Sequence, residues 1–218
     1  MIDYAAARLT MVDTQLRTNK VIDEAVLEAF LAVPRERFVP PGLRGAAYAD
    51  DDLPLGGGRY MMKPMVLARL MQLAAITRED SVLEIGCATG YGMALLARLA
   101  RSVIALESDA TLAAQAVARL RELAIGVASV VEAPLTAAYP GRAPYDVILF
   151  EGAVQEIPVP IARQLAEGGR LVAVLQEGNA VGRAVLATVA RGVLSRRPAF
   201  DASVPLLPGF QAQPSFVF

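Results

Sequence analysis

The stretch that decides the fold runs from Ser81 to Glu107 and reads SVLEIGCATGYGMALLARLARSVIALE. Val82, Leu83 and Ile85 form a short apolar run that stops at Gly86, and from Met93 to Ala100 apolar residues recur with helical spacing. Val103 to Leu106 make a second apolar run, ending on Glu107. Strand, glycine-bearing turn, helix and strand in this order are a βαβ unit. Such crossovers are almost always right-handed, so the turn from Gly86 to Gly90 opens at the carboxyl edge of a parallel sheet, where open α/β sheets bind ligands.

Glycine in that turn lets the backbone approach a ligand, and the following helix offers unpaired N–H groups. Glu107 stands about 20 residues beyond the turn, where an acid can accept both hydroxyls of a ribose. A nucleoside cofactor is the reading that joins these features. Which nucleoside follows from what is missing. The glycines fall at Gly86, Gly90 and Gly92, which does not match G-x-G-x-x-G, and the Lys with Ser or Thr of a diphosphate-cradling loop is absent. Glu84, two residues before the first glycine, puts a carboxylate where a diphosphate would be repelled and an ammonium or sulfonium attracted. S-adenosylmethionine carries both cations and a ribose. The bland alternative is a buried strand with a tight turn and no ligand.

The 218 residues, 55% hydrophobic and 20% charged, allow one large core and exclude a disordered chain. A net charge of −1 leaves no electrostatic footprint for nucleic acid or anionic lipid. With no His and a single Cys, neither a zinc site nor a disulfide framework is expected, and the commonest general base is missing. No basic-then-apolar leader opens the sequence, and no window approaches the ~18 apolar residues of a membrane span. A cytoplasmic protein is expected.

In chain order, residues 3 to 33 read as two helices, the first with Leu9, Val12 and Leu16 on one face, the second opening after Asp23, with a break near Asn19-Lys20. Residues 40 to 63, rich in Pro, Gly and Asp, read as a long loop ahead of the sheet. A helix over 65–75 leads into the first strand. After Glu107 come a helix over 110–123, strands over 127–131 and 145–150, a helix over 157–166, a strand over 170–175, and a segment over 181–190 that reads equally as helix or strand. The tail from Pro198 to Phe218 reads as edge strands. One domain over 1–218 is expected, with helices and a substrate-side loop over 1–64 ahead of a Rossmann-like core over 65–218.

These residues resemble the protein-L-isoaspartate O-methyltransferase family. The likeness is carried by Met11-Val12 with Gln15-Leu16-Arg17, by Val33-Pro34-Arg35 with Phe38-Val39-Pro40, by Leu53-Pro54-Leu55-Gly56, and by Val82-Leu83-Glu84-Ile85-Gly86 with Gly90-Tyr91. Tyr145-Asp146, Ile157-Pro158 and Gly168-Gly169-Arg170-Leu171 extend it. The resemblance implies an α/β class I methyltransferase fold, a seven-stranded sheet with an N-terminal helical extension. It also implies S-adenosylmethionine as cofactor, and Glu84, Gly86, Cys87, Gly90, Glu107, Glu132 and Ala133 as the residues around it.

The departures cluster at the ligand positions. Gly58-Arg59-Tyr60-Met61-Met62 before Lys63-Pro64 replaces the family's Gly-Gln-Thr-Ile-Ser before its Gln-Pro, so Met62 holds the active-site Ser position. Ala88 replaces a Gly, Glu132-Ala133-Pro134 replaces Gly-Asp-Gly, Glu151 replaces a Thr, and Lys20 replaces a Gly. Methylating a carboxylate needs no general base, because the acceptor is already ionised at neutral pH. Met62 therefore removes an orienting donor rather than a reacting group. Arg59 and Lys63 are read either as attracting an anionic acceptor or as a solvated loop face. The implied activity is S-adenosylmethionine-dependent O-methylation of a carboxylate on a protein or peptide, or on a small anionic molecule. The alternatives are a relative that binds S-adenosylmethionine or S-adenosylhomocysteine as a sensor or partner-binding module, and a scaffold without cofactor.

Overall fold

The computed structural model describes residues 2–178 and 180–211. The chain opens with α1 (Tyr4–Met11), capped by the Asp3 carboxylate, which accepts the N–H groups of Ala5 and Ala6. The helix then widens into a π-turn over Val12–Leu16. That extra residue per turn rotates the buried face onto Met11, Val12 and Leu16, so Leu9, expected on that face, is 52% exposed. The break falls at Lys20, which is left-handed at φ 67°, and α2 (Glu24–Ala32) follows behind an Asp23 cap.

Residues 40–63 are not the unstructured loop expected. A 3₁₀ segment over Pro41–Ala46 precedes an antiparallel hairpin of β1 (Leu53–Gly56) and β2 (Arg59–Met61). Gly56, Gly57 and Gly58 all have positive φ and form its turn. Helix α3 (Pro64–Ala74) then leads to β3 (Ser81–Ile85), α4 (Tyr91–Leu99) and β4 (Ser102–Glu107), the βαβ unit read from the sequence. Next come α5 (Ala110–Glu122), β5 (Ala128–Glu132), β6 (Tyr145–Val154), the single turn α6 (Val159–Ala162) and β7 (Leu165–Leu175). The helix expected over 157–166 is cut to this turn because Leu165 pairs with Tyr145 at the start of β7. The ambiguous segment is a strand, β8 (Arg183–Ala190), paired with β9 (Val193–Asp201). Of the tail read as edge strands, residues 198–201 lie in β9 and Leu206 bridges to Ala153, while 212–218 fall outside the described residues.

The main sheet has seven strands in the order β5-β4-β3-β6-β7-β8-β9; β5 to β7 across this order are parallel, and β8 and β9 are antiparallel. Successive strand residues alternate between two core layers. Val82, Val103, Ala105, Val147 and Leu149 join the layer with the N-terminal helices, α3 and α4. Leu83, Ile85, Leu106, Ile148 and Phe150 join the opposite layer. By this period of two, Glu84, Glu107 and Glu151 all point toward the N-terminal helices. The strand order reverses direction between β3 and β6, the position at which such sheets hold ligands.

Lys20 carries a Cβ in a conformation costing about 1–2 kcal/mol for an L-residue. Replacing it with Gly removes that cost but adds roughly 0.5–1 kcal/mol of chain entropy. Lys20→Gly is expected to stabilise the fold by about 0.5–1 kcal/mol, read from the urea midpoint at unchanged slope.

Candidate active site

The site lies at the carboxyl ends of β3, β4 and β6, under the β1–β2 hairpin. Gly86 and Cys87 both donate their N–H groups to the Leu106 carbonyl, at 2.9 and 3.0 Å, which folds the glycine turn tightly over β4. Ala88 adopts φ 49°, so the Cβ that replaces the family's glycine sits in the left-handed region. Thr89 donates its hydroxyl to the Phe38 carbonyl at 2.6 Å, tying the turn to the N-terminal segment. Gly90 is left-handed at φ 91° and begins α4.

Glu107 is fully buried and saturated by this chain's own donors. Its Oε2 accepts the Ala88 N–H at 2.7 Å and pairs with Arg59 Nη2 at 3.0 Å. Its Oε1 accepts the N–H groups of Ser108 and Asp109 at 2.7 and 3.1 Å. The same Nη2 of Arg59 donates to the Gly86 carbonyl at 2.7 Å. Arg59 is 3% exposed, so neither expectation for its charge holds: it is not a solvated loop residue, and it is not free to hold an anionic acceptor. Lys63 pairs with Asp52 at 3.6 Å. Both basic side chains are pulled inward because buried or half-buried carboxylates lie within reach.

Glu84 and Glu151 lie against one another on the same layer. A Cβ at Gly92 would collide with Glu84 Oε1 and lie 2.5 Å from Glu151 Oε2, which is why glycine stands in the first turn of α4. Burial raises both carboxyl pKa values, Glu84 well above its ordinary value and Glu151 to about 7. The Glu151 charge pushes Glu84 further up, while Arg59 opposes the rise in both. Neither Glu84 oxygen has a partner in good hydrogen-bond geometry among the described residues, and the same holds for Glu151 Oε2. Cys87 is buried beside these carboxyls, and burial first, then their charges, pushes its thiol well up, so it is not a reactive thiolate.

The acceptor-side segment is fixed from beneath by Arg35. This guanidinium is fully buried, donates to the Ala47 carbonyl at 2.7 Å and the Met62 carbonyl at 2.9 Å, and stacks 4.8 Å from the Tyr91 ring centroid. Met61 and Met62 are buried, whereas Tyr60 is 38% exposed and Gly58 has φ 72° in the hairpin turn. Met62 lines a cavity of about 10 Å³ together with Arg59, Glu151 and Leu207. Glu132 pairs in register with Glu107 on the next strand and is exposed, and Ala133 donates its N–H to the Glu107 carbonyl at 3.1 Å.

The parts played by three residues escaped the sequence reading, although it named two of them, Glu151 and Arg35. The pairing of Glu151 with Glu84 had a signal, a charged residue directly after the apolar run of β6. Arg35 had one too, lying within the quoted Val33-Pro34-Arg35 segment. Leu207 had none: it reaches the site only because Leu207 N–H donates to Ala153 O at 2.8 Å and Ala153 N–H to Pro205 O at 2.9 Å.

The residues suit S-adenosylmethionine in charge. Orphaned oxygens on Glu84, an acid at the tip of β4, and a glycine turn already holding one cation, the Arg59 guanidinium, form a cradle for a cationic nucleoside. The space is taken by Arg59 and Leu207. A sheet switch point with acids at adjacent strand tips around a glycine turn defines a class I methyltransferase fold.

Comparison with known proteins narrows the class. The family model described as protein-L-isoaspartate(D-aspartate) O-methyltransferase matches residues 8–191. The chain is 42% identical over 169 residues to a protein-L-isoaspartate O-methyltransferase of Koribacter versatilis, covering 78% of this chain and 76% of that one. It is 41% identical over 190 residues to one from Methylorubrum extorquens, covering 87% and 82%. A solved protein-L-isoaspartate O-methyltransferase superposes with a TM-score of 0.81 at 25% identity, over 93% of this chain and 66% of that one. A Plasmodium falciparum structure described as a putative member in complex with S-adenosyl-L-homocysteine shares the fold, with a TM-score of 0.79 at 16% identity over 95% and 99% of the two chains. The chain belongs to the protein-L-isoaspartate O-methyltransferase family, whose members are S-adenosylmethionine-dependent enzymes.

The raised carboxyl values make stability depend on pH. The folded chain holds a proton on Glu151 that the unfolded chain releases near pH 4.5, so stability falls as pH rises from about 4.5 to about 7. Glu151→Gln is expected to make that slope shallower, the remainder coming from Glu84, whose carboxyl burial also raises, with urea unfolding at about pH 8 shifted in favour of the variant by up to about 3 kcal/mol. An unchanged slope would show that Glu151 titrates normally.

Proposed function

We propose that this chain is an S-adenosylmethionine-dependent O-methyltransferase acting on a carboxylate of a protein or peptide, with an isoaspartyl residue as the acceptor class suggested by its relatives. The observation that carries the reading is the convergence of Glu84 and Glu107, on one layer of the sheet, around the Gly86 turn at the switch point. Glu107 would hold the ribose hydroxyls with the acceptor capacity that Arg59 now takes, and Gly86, Cys87 and Gly90 would line the methionine end. Glu84 would face the ammonium. Glu132 and Ala133, at the tip of β5, would border the base. When bound, the cofactor supplies a methyl group on a positively charged sulfur.

The chain's own part is to orient the acceptor and exclude water, which accounts for most of the rate in a transfer that needs no base. Arg35 fixes the backbone at Met62, and the apolar Met61 and Met62 keep the inner wall dry. Met62 cannot donate the hydrogen bond that a Ser hydroxyl gives. Cytoplasmic residence suits an enzyme with one free, buried cysteine, and no helix among the described residues is long and apolar enough to cross a membrane.

The test is methyl transfer from S-adenosylmethionine to an isoaspartyl peptide, followed by mass spectrometry. Wild type is expected to give slow but measurable ester formation, and Met62→Ser to raise it roughly tenfold or more, by restoring one oriented donor. No ester from either protein at saturating cofactor would overturn the assignment.

A further inference from the structure

Among the described residues, the most unusual group is the Arg59 guanidinium. It is a cation from the acceptor-side hairpin, seated where the nucleoside would lie. Nη2 is shared between Glu107 Oε2 at 3.0 Å and the Gly86 carbonyl at 2.7 Å. The open face of Gly86 is covered as well: a Cβ there would lie 2.7 Å from Leu207 Cδ2 and 2.9 Å from Arg59 Nη2. Leu207 also presses on Gly152, where a Cβ would lie 2.6 Å from its Cγ. The remaining cavity, about 10 Å³, holds about one water, whereas small-molecule pockets run to roughly 300–1,000 Å³.

The filling is poorly satisfied. Nε and Nη1 of Arg59 have no partner among the described residues, nor do both oxygens of Glu84. A buried guanidinium normally spends all its donors. Here two of its three nitrogens are idle, beside a Glu84 carboxyl whose neighbour is another buried carboxyl, Glu151. That pattern fits a group parked in a site shaped for another occupant. The hairpin that delivers it is a two-stranded ribbon whose turn is three glycines, and such ribbons are marginal by themselves.

We propose that the cofactor pocket is self-occluded, with Arg59 and Leu207 acting as internal competitors that S-adenosylmethionine must displace; this rests on the function proposed above. Because Arg59 and Met62 share one short segment, expelling the guanidinium also moves the wall that faces the acceptor. Cofactor entry therefore precedes and shapes the acceptor site. The affinity of the intact chain is reduced by the fraction of molecules in which the guanidinium is out.

Calorimetry with S-adenosylhomocysteine on the full chain tests this, using wild type, Arg59→Gln and Leu207→Ala. Both variants are expected to bind at least tenfold more tightly than wild type. Arg59→Gln leaves Glu107 without its cation and so threatens folding; Leu207→Ala opens the pocket without touching a charge and carries the test if the first variant does not fold. A structure of wild type with S-adenosylhomocysteine should show the Arg59–Glu107 pair broken. Equal affinity in wild type and in the variants, no binding by any of them, or a retained ion pair in the complex would overturn occlusion. Tighter binding by the variants without methyl transfer to an isoaspartyl peptide would overturn the proposed function and leave occlusion standing. Tight binding and methyl transfer by wild type, with no gain in the variants, would do the reverse.

Discussion

One buried cation among three buried carboxyls holds the functional end of this molecule together. Arg59 lies beside Glu107, and its charge opposes the rise in proton affinity of both Glu84 and Glu151. Ions taken out of water lose several kcal/mol of solvation each, a loss that pairing only partly restores. The chain manages the excess of acid in two ways. It surrounds Glu107 with backbone N–H donors, and it leaves a proton on the Glu84–Glu151 pair. The Gly86 turn contributes the Ala88 amide to Glu107, while the Ser108 and Asp109 amides come from the chain just beyond it.

The same constraint explains the glycine spacing that fits no phosphate motif. Gly86 makes room for a guanidinium and a leucine, and Gly92 makes room for two carboxyl groups. Placing the carboxyls of Glu84 on β3 and Glu151 on β6 against the first turn of α4 favours positively charged occupants there, whether supplied by the chain or by a ligand.

How much of this was legible in the sequence depended on the range of the interactions. The βαβ unit was readable because its apolar runs, turn and crossover are contiguous; that Glu84 and Glu107 share one layer follows only from the β3–β4 register, Glu84 beside Ala105, which the sequence does not show. The hairpin was not, because β1 and β2 are short and three glycines between them read as a loop. Arg59 reads as surface when its own neighbours are considered. Its burial is set by Glu107, distant in the chain and near only after the sheet forms. Leu207 depends on a bridge from the tail to β6, which no local pattern encodes. Along the first helix Val12 and Leu16 are buried as expected but Met11 takes the place of Leu9, since a π-turn changes the periodicity that a 3.6-residue reading assumes.

The far edge of the sheet carries a consequence of a different kind. β9 exposes nearly every residue from Val193 to Pro198 and leaves one side of its backbone without a neighbouring strand among those described. A bare edge of that length is a template on which another chain can stack. Two adjacent arginines, Arg196 and Arg197, then Pro198 opposite an irregularity in register at Ala184/Val185, spoil that template with like charge, a missing donor and a local bend. The strand farthest from the chemistry thus acts as a guard against aggregation, letting the sheet end in water without recruiting copies of itself.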